Sequence, residues 1–165
     1  MTPDTSHPAV NAHLTSIRAA ETGDKSAWLD QFAEDAWLQD PVGPSPYDPA
    51  GEGFRGRAAI EWFWDNVIAP AETTFDSRLR IPSGPGSCAC WMVASNQVGE
   101  QSIDIDVMVI YHLNEQGKIH TLRAYWDLQA AVSAMTASHG EGLTPCNARP
   151  TGRRPCWLAS VRPAL

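Results

Sequence analysis

The chain has 165 residues, enough for one domain with its own core. It carries 12 basic and 19 acidic residues, a formal charge of −7, which argues against a nucleic-acid surface or a polyanionic substrate and fits a neutral, apolar or cationic ligand. No run of about 18 apolar residues occurs, so no spanning helix is expected, and the first residues lack the basic start and apolar stretch of a secretory leader, so the expected location is the cytoplasm.

Residues 1–7 read as a frayed arm. Val10, Leu14 and Ile17 then recur at helical spacing over residues 8–20, and Gly23 ends that helix. Asp24 can cap a second helix over residues 25–32 that turns Trp28, Leu29 and Phe32 inward, with the Glu34-Asp35 pair at its solvent end. Residues 36–40 read as a short strand. The segment 40–54 holds four prolines, Pro41, Pro44, Pro46 and Pro49, with Gly43, Gly51 and Gly53, so it is a long loop of the kind that carries function. A helical period returns over residues 56–69 through Ile60, Phe63, Val67 and Ile68, and Pro70 stops it.

From Thr73 the period becomes two, and residues 74–81, 88–97, 102–114 and 118–128 are strands joined by Gly-, Pro- and Asn-rich turns. In the third of these, Ile103, Ile105, Val107, Val109, Tyr111 and Leu113 share one face, and Asp104, Asp106, Met108, Ile110 and His112 share the other. Both faces are partly apolar, which places this strand at the centre of a sheet or at a subunit contact. Helices followed by hairpin-linked strands make an α+β domain, and the order fits residues 8–135. Residues 136–165, with repeated Gly and Pro and a local charge of +3 against −10 in the rest, read as a disordered tail.

Asp40 ends an apolar run and opens the turn Asp40-Pro41-Val42-Gly43. Ala124-Tyr125-Trp126 closes the alternating stretch. Together they point to one carboxylate at the mouth of an aromatic-lined pocket. Burial raises a carboxylate's pKa toward the working range of a base, which makes such a group a proton-abstraction device. Cys88 and Cys90 share a strand face and read as buried thiols, and no His, Cys or carboxylate spacing supports a metal site. His112 and His120 read as surface strand residues, and Arg55 and Arg57 as solvated.

These pieces, read together, resemble a known superfamily. Phe32-Ala33-Glu34-Asp35-Ala36, Asp40-Pro41-Val42-Gly43, Gly56-Arg57 with Ile60 and Phe63, Asp106-Val107-Met108, Gly117-Lys118-Ile119 and Ala124-Tyr125-Trp126 are similar to the NTF2-like proteins, and within them to the ketosteroid isomerases and the SnoaL-like polyketide cyclases. The resemblance covers about residues 10–130. It implies a cone-shaped fold with three helices from the N-terminal half on a strongly curved antiparallel sheet, assembled as a homodimer. It also implies that Asp40 is the catalytic base and Trp126 a pocket tryptophan whose N–H reaches it. The family's two oxyanion donors fall on Ser16 and Val109, neither of which supplies the family's group. Tyr111, on the face of Val109, and Tyr47, in the loop over the mouth, are candidate substitutes, and Phe63 is a further wall residue.

The expected activity is allylic isomerisation of a 3-oxo-steroid or similar apolar polycyclic ketone. It needs no cofactor, because the substrate carbonyl is the electron sink. A cyclase, dehydratase or hydrolase on the same cup, or a binding or assembly module without catalysis, are the alternatives.

Overall fold

The computed structural model describes residues 6–98 and 100–137. Helices α1 (Pro8–Thr22), α2 (Lys25–Leu29) and α3 (Gly56–Phe63), the last running on into a π-helical turn, Trp64–Ile68, pack on a six-stranded sheet of order β2-β1-β6-β5-β4-β3. The strands are β1 (Phe32–Gln39), β2 (Phe54–Arg55), β3 (Thr73–Ser83), β4 (Ser87–Val98), β5 (Gln101–Leu113) and β6 (Ile119–Tyr125), and α4 (Leu128–Ala137) follows. This is the expected α+β, NTF2-like arrangement. Every strand pair is antiparallel except β1 with β6. The long connection through β2 to β5 lets β6 return alongside β1 in the same direction. Among the described residues no helix is long and apolar enough to cross a membrane.

Helix α1 ends where Gly23 adopts the left-handed conformation, φ 69°, and the Asp24 side chain accepts from the Ala27 N–H at 3.0 Å to start α2. The helix expected over residues 25–32 is shorter, because Phe32 is already in the sheet. It pairs with Ile119 of β6, whose N–H donates to the Gln31 carbonyl at 2.7 Å. Main-chain pairing outweighs helix propensity here, and β1 begins four residues earlier than the sequence pattern indicates. A register shift between Phe32 and Trp37 turns Glu34 and Asp35 out to solvent in β1 instead of at a helix end.

The helix expected over residues 56–69 changes to π geometry after Phe63, with the Ala69 N–H donating to the Trp64 carbonyl at 2.8 Å. Strand β6 stops at Tyr125, and the Asp127 side chain accepts from the Ala130 N–H at 2.9 Å to open α4, a helix that the strand assignment of residues 118–128 did not anticipate. Arg55 lies over the Trp37 ring at 4.2 Å and Arg57 donates to the Leu29 carbonyl at 3.1 Å, so neither is simply solvated. At the N-terminal end His7 bonds the Gly84 carbonyl at 2.9 Å, while residues 1–5 and 138–165, including most of the segment expected as a tail, lie outside the described residues.

The loop after β1 is built around Asp48, whose carboxylate accepts from the N–H groups of Gly51, Glu52 and Gly53. Gly53 has φ 79°, and a Cβ there would lie 2.5 Å from Trp37 Nε1 and 2.7 Å from the Leu38 carbonyl oxygen. Gly53→Ala therefore combines left-handed strain with a clash against backbone, and urea unfolding should show a loss of about 2–4 kcal/mol.

Candidate active site

Asp40 is the first residue beyond β1. Leu38 and Gln39 pair with Leu122 and Arg123 of β6, and the Val42 N–H donates to the Ala124 carbonyl at 2.8 Å, so the chain leaves the sheet alongside β6. That path sets Asp40 against Trp126, whose indole N–H donates to Asp40 Oδ1 at 2.6 Å. The Asp40–Pro41 peptide is cis. An indole N–H only donates, so the bond fixes the carboxylate's orientation and leaves its second oxygen for other chemistry.

A cavity of about 160 Å³ opens beside this pair, walled by Phe63, Phe75, Met92, Val107 and Trp126, with Tyr47 contributed by the loop. A deeper chamber of about 90 Å³ adjoins it, shares Asp40, Phe63 and Met92, and is closed by Ser16, Val109 and Tyr111. Burial among these groups pushes the Asp40 carboxyl up from 3.8 to about 6, against the opposing pull of the Trp126 bond. A base with that pKa is ionised at neutral pH and still holds a proton well enough to accept one in a reaction.

Tyr111 is buried on β5, lining the deeper chamber with Ser16, with its hydroxyl 3.3 Å from His13 Nδ1. Burial raises the phenol well above its ordinary pKa, and the Asp40 charge adds to that, so Tyr111 stays protonated and has a proton to donate. The Asp40 carboxyl and the Tyr111 phenol thus face one chamber. Asp106 lies on the opposite sheet face, where it accepts from Trp91 Nε1 at 2.8 Å, and Tyr125 is exposed on that face too. His112 bonds Ser87 and His120 lies near Asp35, both away from the cavities. Among the described residues no group of three or more His, Cys, Asp or Glu could hold a metal ion.

A sequence profile of the SnoaL-like domain matches residues 14–122, about two thirds of the chain. The chain belongs to the SnoaL-like domain family. A Steroid Delta-isomerase from Nocardioides simplex is 28% identical over 110 residues, covering 67% of this chain and 82% of that protein. RV0760c and a ketosteroid isomerase are among the solved folds similar to this SnoaL-like domain. RV0760c from Mycobacterium tuberculosis is 31% identical with a TM-score of 0.70, covering 74% of this chain and 92% of that one. It has also been solved with estradiol-17beta-hemisuccinate. The Delta 5-3-ketosteroid isomerase from Mycobacterium sp. is 30% identical with a TM-score of 0.69, covering 75% and 96%.

All seven residues singled out in the sequence, Asp40, Trp126, Ser16, Val109, Tyr111, Tyr47 and Phe63, line one or both cavities of this SnoaL-like domain. The sequence reading missed His13, which is fully buried and bonds both Tyr111 and Ser77. His13 precedes Ser16 by three positions, so helical spacing already put both on one face of α1. It also missed Thr73 and Asn96, bonded to each other at 2.8 Å in the wall of the larger cavity. Asn96 continues the inward alternation of Cys88, Cys90, Met92 and Ala94, a signal the pattern did contain.

Proposed function

We propose that this SnoaL-like domain is an isomerase that moves a proton within a 3-oxo-Δ5-steroid or similar polycyclic ketone, with Asp40 as the base. The observation that carries the reading is a Trp126-bonded carboxylate in an apolar cavity, facing the Tyr111 phenol across a shared chamber. The isomerase relatives, and the steroid bound by RV0760c, support the substrate class.

Asp40 takes a proton from the carbon between the carbonyl and the double bond. The electron pair of the broken C–H bond moves into a dienolate, and negative charge collects on the former carbonyl oxygen. Tyr111 donates a hydrogen bond to that oxygen, a task the family assigns to the positions held here by Ser16 and Val109. Asp40 then returns the proton to the far end of the conjugated system, giving the conjugated enone and restoring the carboxylate. The aromatic walls exclude water that would otherwise quench the enolate.

The test is the ultraviolet absorbance of the conjugated enone formed from a 3-oxo-Δ5-steroid. Catalysed appearance of the enone supports the reading. Tight binding of a phenolic steroid with no turnover would replace it with a binding function, and an absence of both would remove the steroid class.

A homodimer belongs to the same proposal. Leu79, Trp91, Met108 and Tyr125 pair in succession across β3, β4, β5 and β6, and form one apolar row on the sheet face away from the helices. Leu79 is 47%, Met108 44% and Tyr125 39% exposed, and such a row is an association surface. Light scattering should show a dimer that Met108→Lys converts to monomer, with steroid binding per chain retained.

A further inference from the structure

A chain of hydrogen bonds runs behind the pocket to Tyr111 through Arg80, Ser77 and His13, residues that no step above uses. Arg80 Nη1 donates to Ser77 Oγ at 2.9 Å and to the Ser77 carbonyl at 2.6 Å. Ser77 Oγ lies 2.8 Å from His13 Nε2, and His13 Nδ1 lies 3.3 Å from the Tyr111 hydroxyl. Tyr111 lines the deep chamber together with Ser16. Strand β3 is distorted to make this possible. A register shift between Ser77 and Leu79 leaves Leu79 paired with Trp91 on the outer row, and Ser77 and Arg80 both reach inward where strict alternation would have turned Arg80 out.

We propose that Arg80, Ser77 and His13 are positioning residues that fix the direction of this chain, so that the Tyr111 hydroxyl proton is presented to the deep chamber. The proposal deepens the isomerase reading and rests on it for the identity of the acceptor, an oxyanion of the ligand.

The direction follows from counting protons. A guanidinium only donates, so Ser77 Oγ is an acceptor toward Arg80. Among the described residues the Ser77 proton has one acceptor in reach, His13 Nε2. Burial pushes His13 down from 6.5 to about 4, with the Arg80 charge adding to the effect, so at neutral pH the ring has a single proton. With Nε2 occupied as acceptor, that proton sits on Nδ1 and points at the Tyr111 oxygen. The opposite direction would leave the Ser77 proton without an acceptor. With its oxygen accepting from His13 Nδ1–H, Tyr111 keeps its own hydroxyl proton for the chamber that it and Ser16 line. A phenol is a stronger donor to an anion than the aliphatic Ser16 hydroxyl in the same chamber, so an oxyanion of the ligand takes the Tyr111 hydrogen bond.

Nitrogen-15 NMR of the ring in the ligand-free protein reads the chain without any substrate. The expected result is a neutral His13 with its proton on Nδ1, the less common tautomer of a free imidazole, and a shift toward a tautomer mixture in Ser77→Ala. A proton on Nε2 would overturn the proposal whether or not the protein is an isomerase. Conversely, the Nδ1 tautomer with no steroid turnover keeps the chain and removes the isomerase. In the enzymatic arm, His13→Leu should lower kcat about tenfold with KM little changed, and reduce the ionised fraction of a bound phenolic steroid. His13→Asn, whose amide N–H falls near the place of Nδ1–H, should restore part of both. Leu and Asn variants with equal kcat, each folded by near-ultraviolet circular dichroism, would also overturn it.

Discussion

Asp40→Asn is expected to abolish nearly all turnover and, at neutral pH, to leave the protein more stable than the parent. A positioned general base contributes about 10²–10⁴ in rate, and an amide cannot take up the proton, so a loss of about 10³ or more in kcat should follow. The variant keeps the site's shape, since an Asn oxygen can still accept from Trp126. In the parent, activity should rise with pH through about 6 as Asp40 ionises and then level off, because only the carboxylate can act as base.

Stability should move in the other direction. The folded carboxyl keeps its proton up to about 6 while the unfolded one releases it near 3.8, so between these values the folded state binds more protons and stability falls as pH rises. Two pH units correspond to at most about 3 kcal/mol, and the opening of the cavity that leaves Asp40 partly accessible lowers that figure. Asn carries no such penalty. His13 has the opposite sign: its folded pKa is depressed to about 4 from 6.5, so the unfolded state binds more protons and stability is lost as pH falls through that window. The two groups oppose one another over nearly the same range. Removing Asp40 should therefore expose the His13 effect, and Asp40→Asn should be markedly more acid-labile than the parent when urea midpoints are compared between about pH 4 and 7. Equal pH dependence in the two proteins would show that Asp40 does not hold its proton in the folded state.

Tyr111→Phe is the second large effect. Loss of one oxyanion donor costs about 10²–10³ in kcat, and the loss should appear in kcat with KM nearly unchanged, because the bond strengthens as charge builds on oxygen. Steady-state kinetics on a 3-oxo-Δ5-steroid checks this. The rise of activity near pH 6 should survive in Tyr111→Phe, since it belongs to Asp40. Removing the hydroxyl also leaves His13 Nδ1 without its buried partner, a cost of about 1–3 kcal/mol that denaturation would report separately. If kcat fell less than about tenfold, the oxyanion would be stabilised elsewhere, and Ser16 is the neighbouring hydroxyl to examine.

Much of the architecture is legible because it depends on neighbours in the chain. The alternation of Ile103, Val107, Val109 and Tyr111 against Asp104, Asp106 and Met108 predicts the two faces of β5, and burial follows it. Gly23 and Asp24 mark a helix end and a helix start because a left-handed cap and a side-chain cap are local devices. The errors lie where distant main chain intervenes. Phe32 has a helical apolar spacing with Trp28 and Leu29, yet it is drawn into β1 by Ile119, far along the sequence. On α1 the expected stripe was Val10, Leu14 and Ile17, but the fully buried side includes His13 and Ser16, with Leu14 and Ile17 only packed against the core. Polar residues on an inward face are invisible to apolar periodicity, and their burial is permitted only by partners in other elements.

The sequence by itself determined the order of α1 to α3, β1 and β3 to β6, the loop after Asp40, and the aromatic step at Ala124-Tyr125-Trp126, since propensity, turn chemistry and alternation act over a few residues. Only the tertiary structure decided which groups face the carboxylate. Trp126 reaches Asp40 across 86 positions, and His13 reaches Tyr111 across 98 and Ser77 across 64. Hydrogen bonds between such distant residues exist only once the sheet has closed beneath the helices, because a bond of about 3 Å requires both partners to be held in place by packing that no local stretch of chain supplies.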